Sequence, residues 1–229
     1  MIINLSRLAA TTISTLAIGM VGTILFSTFW NSNTPPQKLF SSSNSITATA
    51  AAVEIAHNSK ANRPLTKAAT ISVEGEKSSI NLQLYDKYDD LFTTYFSNED
   101  FVAEGFSSGE GTGVRFISNV DGNKNENAYI AISFPNSFKT LEQLRSFVNG
   151  TSGLMGSNGW KVLSNTEDLS YGWTKQKIVF NEGEDMGGIV YLGQQNGKIF
   201  YVIIHCPSDY QEGFFPRADL VLRDLQVGD

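Results

Sequence analysis

The chain has 229 residues, 41% of them hydrophobic, with 17 Lys/Arg against 23 Asp/Glu for a formal charge of −6. The charge is split unevenly: residues 1–77 hold six Lys/Arg and three Glu, whereas residues 78–229 hold eleven Lys/Arg and twenty Asp/Glu. So acidic a C-terminal part repels phosphate backbones and excludes nucleic acid as the expected partner, and the single cysteine, Cys206, excludes an intrachain disulfide, a Cys-based zinc site and a lipid-anchor cysteine.

In chain order, the first predicted element is a membrane helix over residues 8–30, part of an anchor segment 1–30. The run from Leu8 to Trp30 carries no charge and as a helix would span roughly 35 Å, enough for a hydrocarbon core of about 30 Å. Its threonines and serines lower the hydrophobicity but can return hydrogen bonds to their own helix backbone. Phe29 and Trp30 close it as an interfacial aromatic pair, and Arg7 precedes it while Lys38 is the first cation after it. The positive-inside rule then places the N-terminus in the cytoplasm and the domain in a periplasmic, extracellular or lumenal space. The rival is a cleaved signal peptide. Its small-residue site should follow a shorter apolar run closely, and the nearest, Ala48-Thr49-Ala50, lies well beyond Trp30.

Residues 31–77 are rich in Ser, Thr, Asn and Ala, with Pro35-Pro36 at the front, and read as a flexible linker. Within it only Ala48–Ala56 suits a short helix.

From residue 78 onward, aromatic and β-branched runs alternate with Gly, Asn and Asp. They predict strands at 92–96, 101–106, 113–118, 127–134, 159–164, 172–180, 187–194 and 198–206. Asn196-Gly197 between the last two predicts a tight hairpin, because a type I′ turn needs positive φ at both central residues. Thr140 with Gln143 three residues on forms a capping box for a helix carrying the stripe Leu141, Leu144, Phe147 and Val148, ended by Asn149-Gly150. A second helix is predicted from Pro216, with Ala218, Val221, Leu222 and Leu225 on one face. Strands, helix, strands in meander and a terminal helix make the domain, 78–229, an α+β fold with a mostly antiparallel sheet packed by helices.

The order of these runs resembles the PsbP-like (Mog1/PsbP-like) domain family over about residues 90–227. The features are FTTYF, then GTGVRFIS, NAYIAISF, the helix TLEQLRSFV, the hairpin IVYLGQQNGKIFYVIIH and the closing FFPRADLVLRDLQV. The resemblance implies an antiparallel sheet between helices. It also implies a non-enzymatic accessory or assembly protein of photosystem II at the lumenal face of the thylakoid. This chain lacks the family's lipid-anchor cysteine, and a helix over 8–30 stands in its place. The family has no universal catalytic residues, so no catalytic, cofactor or metal residue is carried over.

The residues themselves offer few sites. The histidines are His57, in the linker, and His205. On a strand His205 and Cys206 point to opposite faces and cannot form a thiolate–imidazole pair; the expectation is a strand-end histidine partly open to water, with a pH-sensitive or metal-contacting role as the alternative, and a cysteine packed as a small apolar group. Asp121-Gly-Asn123-Lys-Asn125-Glu126-Asn127 begins like a calcium loop but has Glu126 and Ile132 where an EF-hand needs glycine and glutamate, so it reads as a polar loop between strands. Asp86, Asp89 and Asp90 form a second acidic cluster, of a type suited to weak cation binding, and read as a solvated helix start. Gly105 to Gly113 lacks the lysine and following helix of a phosphate loop and reads as a turn. Glu104 with Glu110 is the carboxylate pair a hydrolase would use. Tyr171, Trp173, Trp160, Phe214 and Phe215 are read chiefly as core, with an exposed binding face as the alternative.

The expected function is therefore a membrane-anchored, non-enzymatic module without a cofactor, touching lipid through residues 8–30 and acting on a membrane protein complex. The alternatives are an exported ligand-binding or envelope-sensing domain and a carboxylate-based hydrolase.

Overall fold

The computed structural model describes residues 63–88, 90–168 and 170–228. The predicted membrane helix over 8–30, the stretch Ala48–Ala56 and His57 lie outside these residues. Among the described residues no helix is long and apolar enough to cross a membrane.

Among the described residues, eleven strands and three α-helices follow in order: β1 (Thr66–Val73), β2 (Glu76–Tyr85), β3 (Phe92–Phe96), β4 (Phe101–Ser108), β5 (Gly111–Val120), β6 (Asn123–Pro135), α1 (Leu141–Asn149), α2 (Leu154–Ser157), β7 (Lys161–Thr166), β8 (Thr174–Glu182), β9 (Met186–Gln195), β10 (Lys198–Pro207), α3 (Gln211–Arg223) and β11 (Gln226–Val227). All pairings are antiparallel. They build a four-stranded sheet, β1-β2-β3-β11, and a seven-stranded sheet, β4-β5-β6-β10-β9-β8-β7. The α+β class and the eight predicted strands are present.

The seven-stranded sheet is apolar on both faces. One face packs Phe116, Ile130, Phe134, Phe200 and Val202 against Phe92 and Phe96 of β3 and against Phe214, Val221 and Leu222 of α3. The other packs Ile178, Val190, Leu192 and Ile203 under Leu144 and Val148 of α1 and Leu154 and Met155 of α2. Central strand β10 therefore shows no apolar–polar alternation: eight consecutive residues from Ile199 to Cys206 are buried.

Local signals are obeyed where they are self-contained. Thr140 accepts from the Gln143 backbone N–H and the Gln143 side chain accepts from the Thr140 N–H, so the capping box is closed. Asn196 and Gly197 take φ of 49° and 71°, as the predicted turn demands. Asp121-Gly122 makes the same kind of turn between β5 and β6, so the calcium-like stretch is a hairpin tip.

Three expectations are corrected. The linker 31–77 ends earlier than predicted, because Thr66–Val73 is a strand paired along its whole length with β2. Its side chains are polar and small, and Ile71 supplies the buried contact with Leu82, Leu84, Tyr95 and Leu220. The last helix starts at Gln211, not Pro216, which sits inside it. Burial of Phe214, edge-on to Phe101 at 5.8 Å, extends the helix upstream although Pro216 removes one backbone donor. Asn149-Gly150 ends α1 as expected, with the Gly150 N–H reaching the Phe147 carbonyl. Lys87, Tyr88 and Asp90 lie in turns rather than at a helix start, with the Leu91 and Phe92 N–H groups donating to the Tyr88 carbonyl.

Candidate functional site

A row of residues crosses the whole seven-stranded sheet on its α1 face. Register places Val102, Ile117, Tyr129, His205, Gly188, Phe180 and Val162 side by side across β4, β5, β6, β10, β9, β8 and β7. His205 stands at its centre. The sequence expectation of a partly exposed histidine is corrected: only 6% of the residue is accessible.

Burial is tolerable because both ring nitrogens are matched. Nδ1 lies 3.0 Å from the Asn127 carbonyl oxygen and Nε2 lies 2.7 Å from Glu182 Oε2. The same Glu182 oxygen accepts from Trp160 Nε1 at 3.2 Å. Above the hydrogen bonds lie aromatic rings: Tyr129 stacks on His205 at 5.0 Å, and Trp160 lies flat on Phe180 at 4.0 Å and 11°. Gly188 permits this, because it puts no side chain between His205 and Phe180. A Cβ there would meet Phe180 Cζ at 3.0 Å and the Ile204 carbonyl oxygen at 1.9 Å.

The row continues outward through charge. Arg115 sits 4.0 Å above the Tyr129 ring and pairs with Glu126, which with Glu104 also grips Lys124. Hydrogen bonds donated to Glu104 first, then to Glu126, push the Lys124 ammonium above its ordinary value. Burial pushes the Tyr129 phenol up to about 12, so it stays neutral.

The other residues singled out in the sequence fall elsewhere. Cys206 points to the opposite face from His205, fully buried among apolar neighbours; burial, then Asp209, pushes its thiol up to about 12. That leaves it inert as a nucleophile. Glu104 is tied to Lys124, and Glu110 lies in the turn beyond Ser108. Gly105 to Gly113 is the β4–β5 hairpin, closed by Ser108 opposite Gly111. Tyr171, Trp173 and Phe214 are in or against the core, where Tyr171 donates to Asp219 Oδ1 at 2.9 Å and Trp173 donates to the Leu222 carbonyl at 3.3 Å. Asp89 lies outside the described residues. Among them no group of three or more His, Cys, Asp or Glu is placed to hold a metal ion.

Two open surface depressions do not coincide with the histidine. One, about 520 Å³, lies on the β1–β2 hairpin beside Asn98 and Glu99; the other, about 620 Å³, lies on α1 beside Phe138 and Phe147. Sequence reasoning missed Glu182, Tyr129 and Asn127 as partners of His205, since none is near it in sequence.

The residues exposed most conspicuously are on β7. All six are exposed, among them Val162 at 42% and Leu163 at 60%. The β7–β8 register shifts between Val162 and Ser164, leaving Leu163 as the extra residue of a bulge on an edge strand.

No family model matches the sequence, and no curated protein matches it. Among solved structures, the chain is similar to the solution structure of cyanobacterial PsbP (CyanoP) from Synechocystis sp. PCC 6803, at a TM-score of 0.44 and 16% identity, over 64% of this chain and 92% of that one.

Proposed function

We propose that this chain is a non-enzymatic binding or assembly module, held at a membrane by residues 8–30, that docks on a membrane protein complex. In its finer form the proposal names photosystem II at the lumenal face of the thylakoid, which is what the sequence resemblance to PsbP-like domains implies. The observation that carries the binding reading is β7, an edge strand whose bulge turns Leu163 outward beside an exposed Val162. Large apolar side chains presented together at a sheet edge are a docking feature, while the bulge discourages indiscriminate strand pairing.

The test is to purify the tagged full-length protein from membranes and identify what travels with it. A stable complex that disappears in the Val162→Asp, Leu163→Asp double variant, with the fold retained, is the expected result. Recovery as a lone protein in every mild detergent counts against the proposal.

A further inference from the structure

We propose, resting on the reading of β7 as a docking edge, that Arg145 of α1 receives a carboxylate of the partner, which is a protein segment presenting an acidic group beside apolar side chains. Residues 78–229 hold twenty Asp/Glu against eleven Lys/Arg, and Arg115, Arg217 and Arg223 are each paired with a carboxylate. Arg63 is engaged by Thr93, the Asp224 carbonyl and the Tyr95 ring. Arg145 differs from all of them. It donates from Nε to a neutral amide oxygen, Gln176 Oε1, at 2.8 Å, and its two Nη groups meet no acceptor among the described residues.

That one bond is fixed by a closed ring of donors and acceptors. Arginine nitrogens only donate, which forces Gln176 to turn its oxygen toward Arg145 and its amide nitrogen away. Gln176 Nε2 accordingly donates to Asn165 Oδ1. Asn165 Nδ2 donates to Asn149 Oδ1 at 3.1 Å, and Asn149 Nδ2 donates to the Arg145 carbonyl at 2.9 Å, which closes the ring. Gln176 is 8% exposed, so close packing holds it in place. It is the positioning residue. With Nε engaged, Nη1 and Nη2 remain as a fork, which matches a carboxylate through two parallel hydrogen bonds. The fork is oriented before a partner arrives, which lowers the ordering cost of binding.

The same ring sets the fork beside the apolar edge. Asn165 lies on β7 two residues beyond Leu163. Val162, opposite Phe180, is on the face of the sheet that α1 and α2 cover, the side on which Arg145 stands. An exposed valine, an exposed leucine and an oriented arginine form one footprint, and arginine next to an apolar anchor is where interfaces concentrate their energy. An anionic lipid surface takes clusters of basic residues. Here Glu142 is exposed three residues before Arg145 and Glu167 follows β7 directly, so the surroundings admit a single carboxylate and repel an extended anionic surface.

The experiment uses the tagged full-length protein purified from membranes in mild detergent. Arg145→Gln, folded as judged by its melting curve, is expected to recover about tenfold less partner than the unmodified chain, the loss of a hydrogen-bonded charge. Arg145→Lys supplies an amine. Treating its complex with a water-soluble carbodiimide is expected to join that amine to an aspartate, glutamate or C-terminal carboxylate of the partner, read by mass spectrometry of the linked peptides. Full recovery of the partner by Arg145→Gln overturns the role of Arg145, and the docking edge stands or falls separately with the Val162→Asp, Leu163→Asp variant. A complex whose introduced amine links to no partner carboxylate, or to lipid alone, overturns it as well. Recovery of the unmodified chain alone in every mild detergent removes the docking edge and the carboxylate site together.

Discussion

Arg217 donates from Nε to Asp100 Oδ1 at 3.0 Å, fastening the last helix to the corner between β3 and β4. The carboxylate side chain is only 13% exposed, its second oxygen is buried without a partner, and Arg217 also donates to the Gly213 carbonyl. Loss of one member of a buried pair leaves an uncompensated charge, at a cost of about 3–5 kcal/mol. Arg217 is partly exposed, so Arg217→Ala is expected to cost less, about 1–3 kcal/mol. Urea unfolding measures this, and Asp100→Asn in the Arg217→Ala background should recover part of the loss.

Gly188→Ala is expected to destabilise by about 1–3 kcal/mol through overpacking. The added methyl meets the Ile204 carbonyl and the edge of Phe180, and so disturbs the seat of Trp160. A red-shifted Trp160 emission, resolved by comparison with Trp160→Phe, would accompany the stability loss. An unchanged midpoint would show that the strand spacing relaxes freely there.

Thr140→Ala opens the capping box of α1 and is expected to cost about 1 kcal/mol, with Gln143→Ala adding a further loss, because the Gln143 side chain accepts from the backbone N–H groups of Lys139 and Thr140, which Thr140→Ala leaves in place. The departure from additivity is the informative quantity, because the two side chains cap different backbone donors at the same helix end. A double-mutant cycle in denaturant checks it.

Alkaline conditions should weaken the fold. Burial raises Cys206 from 9.0, and Tyr129 and Tyr191 from 10.0, each to about 12. Above pH 9 the unfolded chain surrenders these protons while the folded chain keeps them, so stability falls as pH rises from about 9 to 12. The same burial predicts that a thiol reagent at pH 8 modifies Cys206 only after denaturant is added. Rapid labelling of the native protein would contradict it.

A fragment beginning at Arg63 should unfold cooperatively, and one beginning at residue 78 should not. Arg63 lies 4.4 Å over the Tyr95 ring and donates to Thr93 Oγ1 and the Asp224 carbonyl, while Lys67 pairs with Asp224 at 2.6 Å. Removing these and β1 strips the cover from Leu82, Leu84 and Leu220. Thermal melts of the two fragments decide it.

What the sequence determined by itself was whatever a short stretch of chain can specify through its own backbone. Aromatic and β-branched runs marked β3 to β10, Thr140 with Gln143 marked the start of α1, and Asn196-Gly197 marked a turn, because each signal acts over a few residues. The α+β class followed from their order. Strand β1 was missed, since in TKAATISV the inward set Ala69, Ile71 and Val73 is a short, weak alternation among Thr, Ala and Ser, and its strand is fixed by lying along β2 under Leu220. The start of α3 was misplaced for a related reason: Pro216 is a strong local signal, and burial of Phe214 overrides it. His205 and Cys206 were correctly assigned to opposite faces by the period of a strand. Which carboxylate His205 would meet was decided by register across three strands, which brings residues 127, 182 and 205 together although 23 residues separate even the nearer pair. No local pattern encodes such a meeting, because it depends on how the whole sheet is ordered.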